Sequence, residues 1–87
     1  MEASGHNRST ELEPRVRAVI ARTFRVGESD LPADLRMGSI APWDSMGHME
    51  LILEIEREFS VAFPTYAVAE LVTLVDIVRG LEAEGAR

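Results

Sequence analysis

The residues best able to do chemistry stand together in one run, Trp43-Asp44-Ser45-Met46-Gly47-His48. Ser45 offers a hydroxyl, Asp44 a carboxylate and His48 an imidazole. A hydrolase reading fails on spacing: a nucleophile elbow wants Gly-x-Ser-x-Gly, and the position two before Ser45 is Trp43. A metal reading fails too. His48 has no histidine four residues on, and His6, the only other one, lies close to the N-terminus. With no Cys there is no disulfide, no thiolate ligand and no thiol nucleophile. No residue is assigned a catalytic or metal-binding role. What remains is a serine at a helix start. Asp44 is a good N-cap, which puts Ser45 in the first turn, beside free backbone N–H groups and the positive end of the helix dipole. That setting tolerates a phosphate ester on the hydroxyl.

The elements that must position this run follow from periodicity. Leu12, Val16, Val19, Ile20, Thr23 and Phe24 keep one face at helical spacing and predict a first helix from about Glu11 to Arg25. Pro14 suits its first turn and Gly27 its stop. Arg15, Arg22 and Arg25 share the opposite face, expected to be solvated. A second helix is predicted over Ser45 to Phe59, with Met46, Met49, Ile52, Leu53, Ile55 and Phe59 as a broad apolar face. Glu50, Glu54 and Glu58 step along its outer side with Glu56 nearby. A short helical turn is expected from about Tyr66 to Leu71. The run Leu71 to Val78 is rich in β-branched residues that would suit a strand, but Leu74, Ile77, Val78 and Leu81 fit a last helix opening at Thr73, where Thr73 and Asp76 resemble a capping box. Between the first two long helices lies an irregular stretch, about Val26 to Trp43, in which Leu31, Leu35, Met37, Ile40 and Trp43 are available to pin the loop to a core. The expected fold is all-α: a small four-helix bundle of three main helices and one short one, with a long first loop. Residues 1–10 are small and polar and read as a disordered tail, leaving 11–85 as one domain.

Length and composition set the outer limits. The 87 residues are 46% hydrophobic and 28% charged, a globular balance with room for one domain and a thin core. Nine Arg and no Lys against fifteen acids give a net charge of −6. Residues 1–25 carry five Arg and three acids, a net +2, which leaves −8 on residues 26–87. Such a chain repels phosphate backbones, so nucleic acid is not an expected partner, and a recognition helix as acidic as the second one would not enter a groove. No apolar run approaches a membrane span, and the first ten residues lack an apolar signal core, so a cytoplasmic monomer is expected.

The segment Asp44-Ser45-Met46-Gly47-His48-Met49-Glu50-Leu51 resembles the Asp-Ser-Leu motif and second helix of acyl carrier proteins, with Met46 where that family usually has Leu. The resemblance runs from about Leu12 to Leu81. It takes in the glutamate-rich stretch ending at Phe59 and a last helix opening with Thr73. It implies that Ser45 is the attachment point of 4′-phosphopantetheine, moved there from coenzyme A by a phosphopantetheinyl transferase with a divalent metal. The thiol of the arm would carry acyl groups as thioesters, which fits a chain with no sulfhydryl of its own. It further implies that Asp44 helps the transferase recognise the site, that Met46 makes an apolar contact beside the modified serine, and that Glu50, Glu54 and Glu56 dock on basic patches of acyl-transferring, ligase or synthase enzymes. His48 would then be a partly exposed residue near the arm. Gly47 would keep the surface beside Ser45 clear, and Met46 and Met49 would lend plasticity to the core.

The expected function is therefore that of a non-catalytic acyl carrier of fatty-acid or polyketide-type biosynthesis. A peptidyl or aminoacyl carrier is the neighbouring alternative, disfavoured because such carriers usually show Gly-Gly-x-Ser where this chain has Trp43-Asp44-Ser45. A non-covalent acidic helical interaction module is the other; its binding would be indifferent to Ser45→Ala. The starting Met and short length point to a free-standing protein.

Overall fold

The computed structural model describes residues 8–86. Four helices follow one another: α1 (Arg8–Phe24), α2 (Ser45–Phe59), α3 (Thr65–Val68) and α4 (Leu74–Ala83), with a 3-10 turn at Glu28–Asp30 after α1. The all-helical expectation is met. α1 packs on both α2 and α4. Its Leu12, Val16, Val19, Ile20 and Phe24 are buried, as are Leu51, Ile52, Ile55 and Phe59 of α2 and Leu74, Ile77, Val78 and Leu81 of α4. Among the described residues no helix is long and apolar enough to cross a membrane.

Several boundaries differ from the expectation for identifiable reasons. α1 begins at Arg8 rather than Glu11, so Arg8–Thr10 belong to the helix and not to the tail expected over residues 1–10; residues 1–7 lie outside the described ones. Pro14 therefore stands inside the helix, not in its first turn. Leu12, buried beside the core, holds the turn ahead of the proline by packing, where the missing N–H would otherwise weaken it. The chain also leaves α1 before Gly27. Arg25 takes the left-handed conformation (φ 59°) and the Val26 amide bonds back to the Ala21 carbonyl, a Schellman closure made without glycine. α2 ends the same way at Ser60 (φ 55°), with Val61 bonded to Glu56, and α4 at Gly85 (φ 77°), with Ala86 bonded to Leu81. The short helix is shorter than expected, Thr65–Val68.

The long loop is held at both levels of structure. Leu31, Leu35 and Trp43 are buried, and Met37 and Ile40 pack against the same core. The Met37 amide donates to the Val72 carbonyl (2.8 Å) and the Leu74 amide to that of Leu35 (2.9 Å), around an isolated antiparallel bridge between Arg36 and Thr73. The β-branched stretch before α4 thus satisfies both tendencies: Val72 and Thr73 pair with the loop, and the helix starts next. Thr73 is its N-cap, with Oγ1 accepting from the Asp76 amide at 3.0 Å.

Two arginines of the α1 outer face, Arg15 and Arg22, are engaged and not merely solvated, and so is Arg17, which stands off that face. Arg17 donates to the Leu31 and Pro32 carbonyls (3.4 and 3.3 Å), which ties the loop to α1. Arg15 lies 4.5 Å over the Phe59 ring. Arg22 reaches Glu58 at 3.4 Å and Glu54 at 3.9 Å across the α1–α2 seam.

Candidate functional site

The site is assembled where the loop turns into α2. Trp43 is fully buried and stacks near Phe24, with ring centroids 6.2 Å apart, so the last residue of the loop is anchored in the core. The next residue, Asp44, is extended (φ −105°, ψ −165°) and its Oδ1 accepts from the Gly47 amide at 2.8 Å, while the His48 amide bonds to its carbonyl. The cap is therefore in place. Ser45 follows as the first helical residue and is exposed. Asp44 takes up the Gly47 amide, which leaves the Ser45 and Met46 amides of the first turn without an intrahelical acceptor. An exposed hydroxyl beside two such donors, at the positive end of a 15-residue helix, is a place for an anionic ester.

A family model for the phosphopantetheine attachment site matches residues 14–81. The chain belongs to that family. Members carry 4′-phosphopantetheine covalently, so this domain is a phosphopantetheine carrier that works with enzymes that install the arm and handle its load. The residues present fit such a group. The exposed serine hydroxyl can form the ester, the amide donors can meet its phosphate, and the arm supplies the thiol that a chain without cysteine lacks.

The structure separates the apolar residues of α2 into two stripes. Leu51, Ile52, Ile55 and Phe59 enter the core, whereas Met46 is 84% exposed and Met49 and Leu53 are more than half exposed. Met46 and Met49 are thus surface residues beside Ser45 and not part of a pliant core. The position that completes the inner stripe is His48, only 4% exposed. It is neither partly exposed nor free to meet a phosphate. Trp43 Nε1–H donates to His48 Nδ1 at 3.0 Å, and His48 Nε2 lies 2.9 Å from the Val68 carbonyl of α3. An indole N–H is only a donor and a carbonyl only an acceptor, so both contacts are met by the neutral imidazole with its proton on Nε2. The signal for this burial was in the spacing: His48, Leu51, Ile52, Ile55 and Phe59 are one continuous helical ladder.

Gly47 also faces inward. A Cβ there would collide with the Pro42 carbonyl oxygen and come within 3.1 Å of the Phe24 ring. Its bare Cα lets the loop end lie against the first turn of α2, which is a packing role and not a cleared surface beside Ser45.

The three docking glutamates implied by the resemblance differ from one another. Glu50 is exposed, and among the described residues its carboxylate meets no partner. Glu54 is half-buried, 2.7 Å from Arg57 and within reach of Arg22. Glu56 is half-buried and accepts from the Phe63 amide at 2.8 Å, which ties the connection after α2 back onto the helix. Between α2 and α3 opens a groove of about 430 Å³ walled by Met49, Ile52, Leu53, Phe63 and Val68, with His48 at its head.

The cap makes a clean prediction. Asp44→Ala should cost about 1 kcal/mol in urea unfolding, since the Gly47 amide loses its acceptor, while Asp44→Asn should stay within a few tenths of wild type. If Asn restores stability but not the rate at which a transferase loads the arm, the carboxylate charge is needed beyond the cap.

Proposed function

We propose that Ser45 Oγ is the atom to which the arm is joined, and that the loaded thiol carries acyl intermediates between enzymes of fatty-acid or polyketide-type biosynthesis. The carrying observation is the exposure of Ser45 at the capped start of α2, in reach of a second protein's active site. The chain itself is not the catalyst in this reading. Tethering raises the local concentration of the load at each partner, and the chemistry belongs to the partner.

The acyl class is supported by the groove beginning one turn beyond Ser45, whose walls are mostly aliphatic and aromatic, with Glu56 and Thr65 among them. The outer face of α2 is the proposed landing surface for a phosphopantetheinyl transferase and for acyl-handling enzymes with basic patches. Glu50 supplies a carboxylate without an internal partner, Met46, Met49 and Leu53 supply exposed apolar contacts, and Glu54 and Glu56 add charge from positions held within the fold. Exposed ion pairs are individually weak, which suits a carrier that must leave each partner quickly.

The test is an intact mass after incubation with coenzyme A, magnesium and a permissive transferase. Wild type should gain one phosphopantetheine. Ser45→Ala should gain none while unfolding at the wild-type midpoint, because the side chain is exposed. Modification of the Ala variant, or no modification of wild type in a mixture that loads a known carrier, would overturn the assignment.

A further inference from the structure

Beside the loading site the structure carries a buried polar relay that the carrier role does not use. Trp43 at the end of the loop, His48 in the first turns of α2 and the Val68 carbonyl at the end of α3 are joined in series by two hydrogen bonds of 3.0 and 2.9 Å. The imidazole also stacks on the indole, with centroids 6.2 Å apart and planes 12° from parallel. Trp43 cannot move without opening the core, and His48 is fixed by it.

The far end is different in kind. α3 has four residues, none of them buried, and a helix of that length does not hold itself in water. Single-turn bonds flank it, Ala67 to the Pro64 carbonyl at its start and Glu70 to Ala67 and Leu71 to Val68 in the turn that follows. It forms one wall of the groove, through Thr65, Val68 and Ala69, opposite Met49 and Leu53 on α2. The His48–Val68 bond crosses from one wall to the other at the head of that groove.

We propose that His48 is a positioning residue that latches α3 to α2, and that the latch sets the width of the groove and so the length of apolar chain it admits. The rigid side of the latch is the Trp43–His48 pair. The movable side is α3, which swings outward when the Nε2–H···O bond is lost. The width claim extends the acyl reading of the groove, whereas the latch itself stands on the geometry of the unloaded chain.

The two ring nitrogens can be removed separately. The Asn amide oxygen can occupy the place of Nδ1 and keep the bond from Trp43, but its side chain is too short to reach Val68. The Gln amide nitrogen can occupy the place of Nε2 and keep the bond to Val68. In hydrogen exchange on the unloaded protein, His48→Asn should speed exchange of the Ala67, Glu70 and Leu71 amides about tenfold, the worth of one hydrogen bond. Exchange of the α1 and α4 amides should be unchanged in His48→Asn, whereas His48→Gln leaves the Trp43 indole N–H without an acceptor, so any rise it causes should fall on all helices alike and not single out these three amides. In His48→Asn, a uniform rise across all helices, or no rise at these three amides, would overturn the latch. In wild type, nitrogen-detected imidazole spectra should show the proton on Nε2 alone; the opposite tautomer would overturn it without any variant.

For the groove, neutral primary alcohols of graded length are titrated against the methyl signals of Met49 and Ile52. His48→Asn should bind the longer members several-fold more tightly than wild type and the shorter ones equally. An identical length profile in the two proteins would overturn the claim about width. None of these measurements needs the arm, so failure to load Ser45 would remove the carrier reading and leave the latch to be judged on its own results.

Discussion

Gly47→Ala should lower stability by about 2 kcal/mol, although alanine is the better helix former. Two effects oppose each other. Replacing a glycine inside a helix gains up to about 1 kcal/mol. Against that, the new methyl would occupy the space of the Pro42 carbonyl oxygen and crowd the Phe24 ring at 3.1 Å. The first neighbour is backbone and has no rotamer to retreat to, and the second is packed against Trp43. Overpacking of this sort costs about 1–3 kcal/mol or more, so the clash wins. At about 4–8 °C per kcal/mol for a domain of this size, the thermal midpoint should fall by roughly 8–16 °C. Gly80→Ala is the matched control. Its new methyl would meet the end of the Leu71 side chain at 2.9 Å and the Phe63 ring at 3.2 Å but no backbone atom, so its loss should be smaller. If Gly47→Ala unfolds at or above the wild-type midpoint, the close approach of the loop to α2 is not what requires glycine. The functional consequence is local: Pro42 pushed away from Gly47 would shift the start of the helix on which Ser45 is mounted, and loading by a transferase should slow.

Much of this arrangement was legible in the residues. The four helices, the cap at Asp44, the cap at Thr73 and the anchoring role of Trp43 follow from spacing and turn chemistry alone. The family match over residues 14–81 agrees with the carrier-protein resemblance. What escaped has physical causes. α2 carries two interleaved ladders, His48-Leu51-Ile52-Ile55-Phe59 and Met46-Met49-Leu53, both at helical spacing. Hydrophobicity favours the methionines for the interior and the histidine for the surface. The structure does the reverse, because a hydrogen-bonded imidazole can be buried beside an indole and a carbonyl, neither of which is near in periodicity. The ends of α1 and α2 fell at or within one residue of the expected positions, but the way they close was not legible. Arg25 and Ser60 take up the left-handed position that sequence patterns assign to glycine, held by the Schellman bonds that follow them. The ion pairs from Arg22 to α2 join residues more than thirty positions apart, and no local pattern reports them.

Trp43 should be the most costly side chain to remove. It is fully buried, the largest such residue in the core, and it serves three neighbours: the Phe24 ring, the His48 ring and the backbone turn in which the Gly38 amide bonds to its carbonyl. Trp→Ala in a core costs about 3–5 kcal/mol. A native domain has only about 5–15 kcal/mol in total, and a chain this short belongs near the lower end. Trp43→Ala should therefore be largely unfolded at 37 °C by circular dichroism. Trp43→Phe divides that loss into its parts. The ring still fills most of the space, but His48 Nδ1 is left buried with no donor, a penalty of about 1–3 kcal/mol. Urea unfolding of Trp43→Phe, of His48→Asn and of the double variant forms a cycle. The Asn oxygen can still accept from the indole, so removing the donor should cost about as much in either background if the oxygen takes over from Nδ1. A Phe variant as stable as wild type would mean that the indole N–H does no more than fill space. A Phe variant with a lowered midpoint and a normally folded far-ultraviolet spectrum would show that one hydrogen bond at the foot of α2 helps hold the helix on which Ser45 is presented.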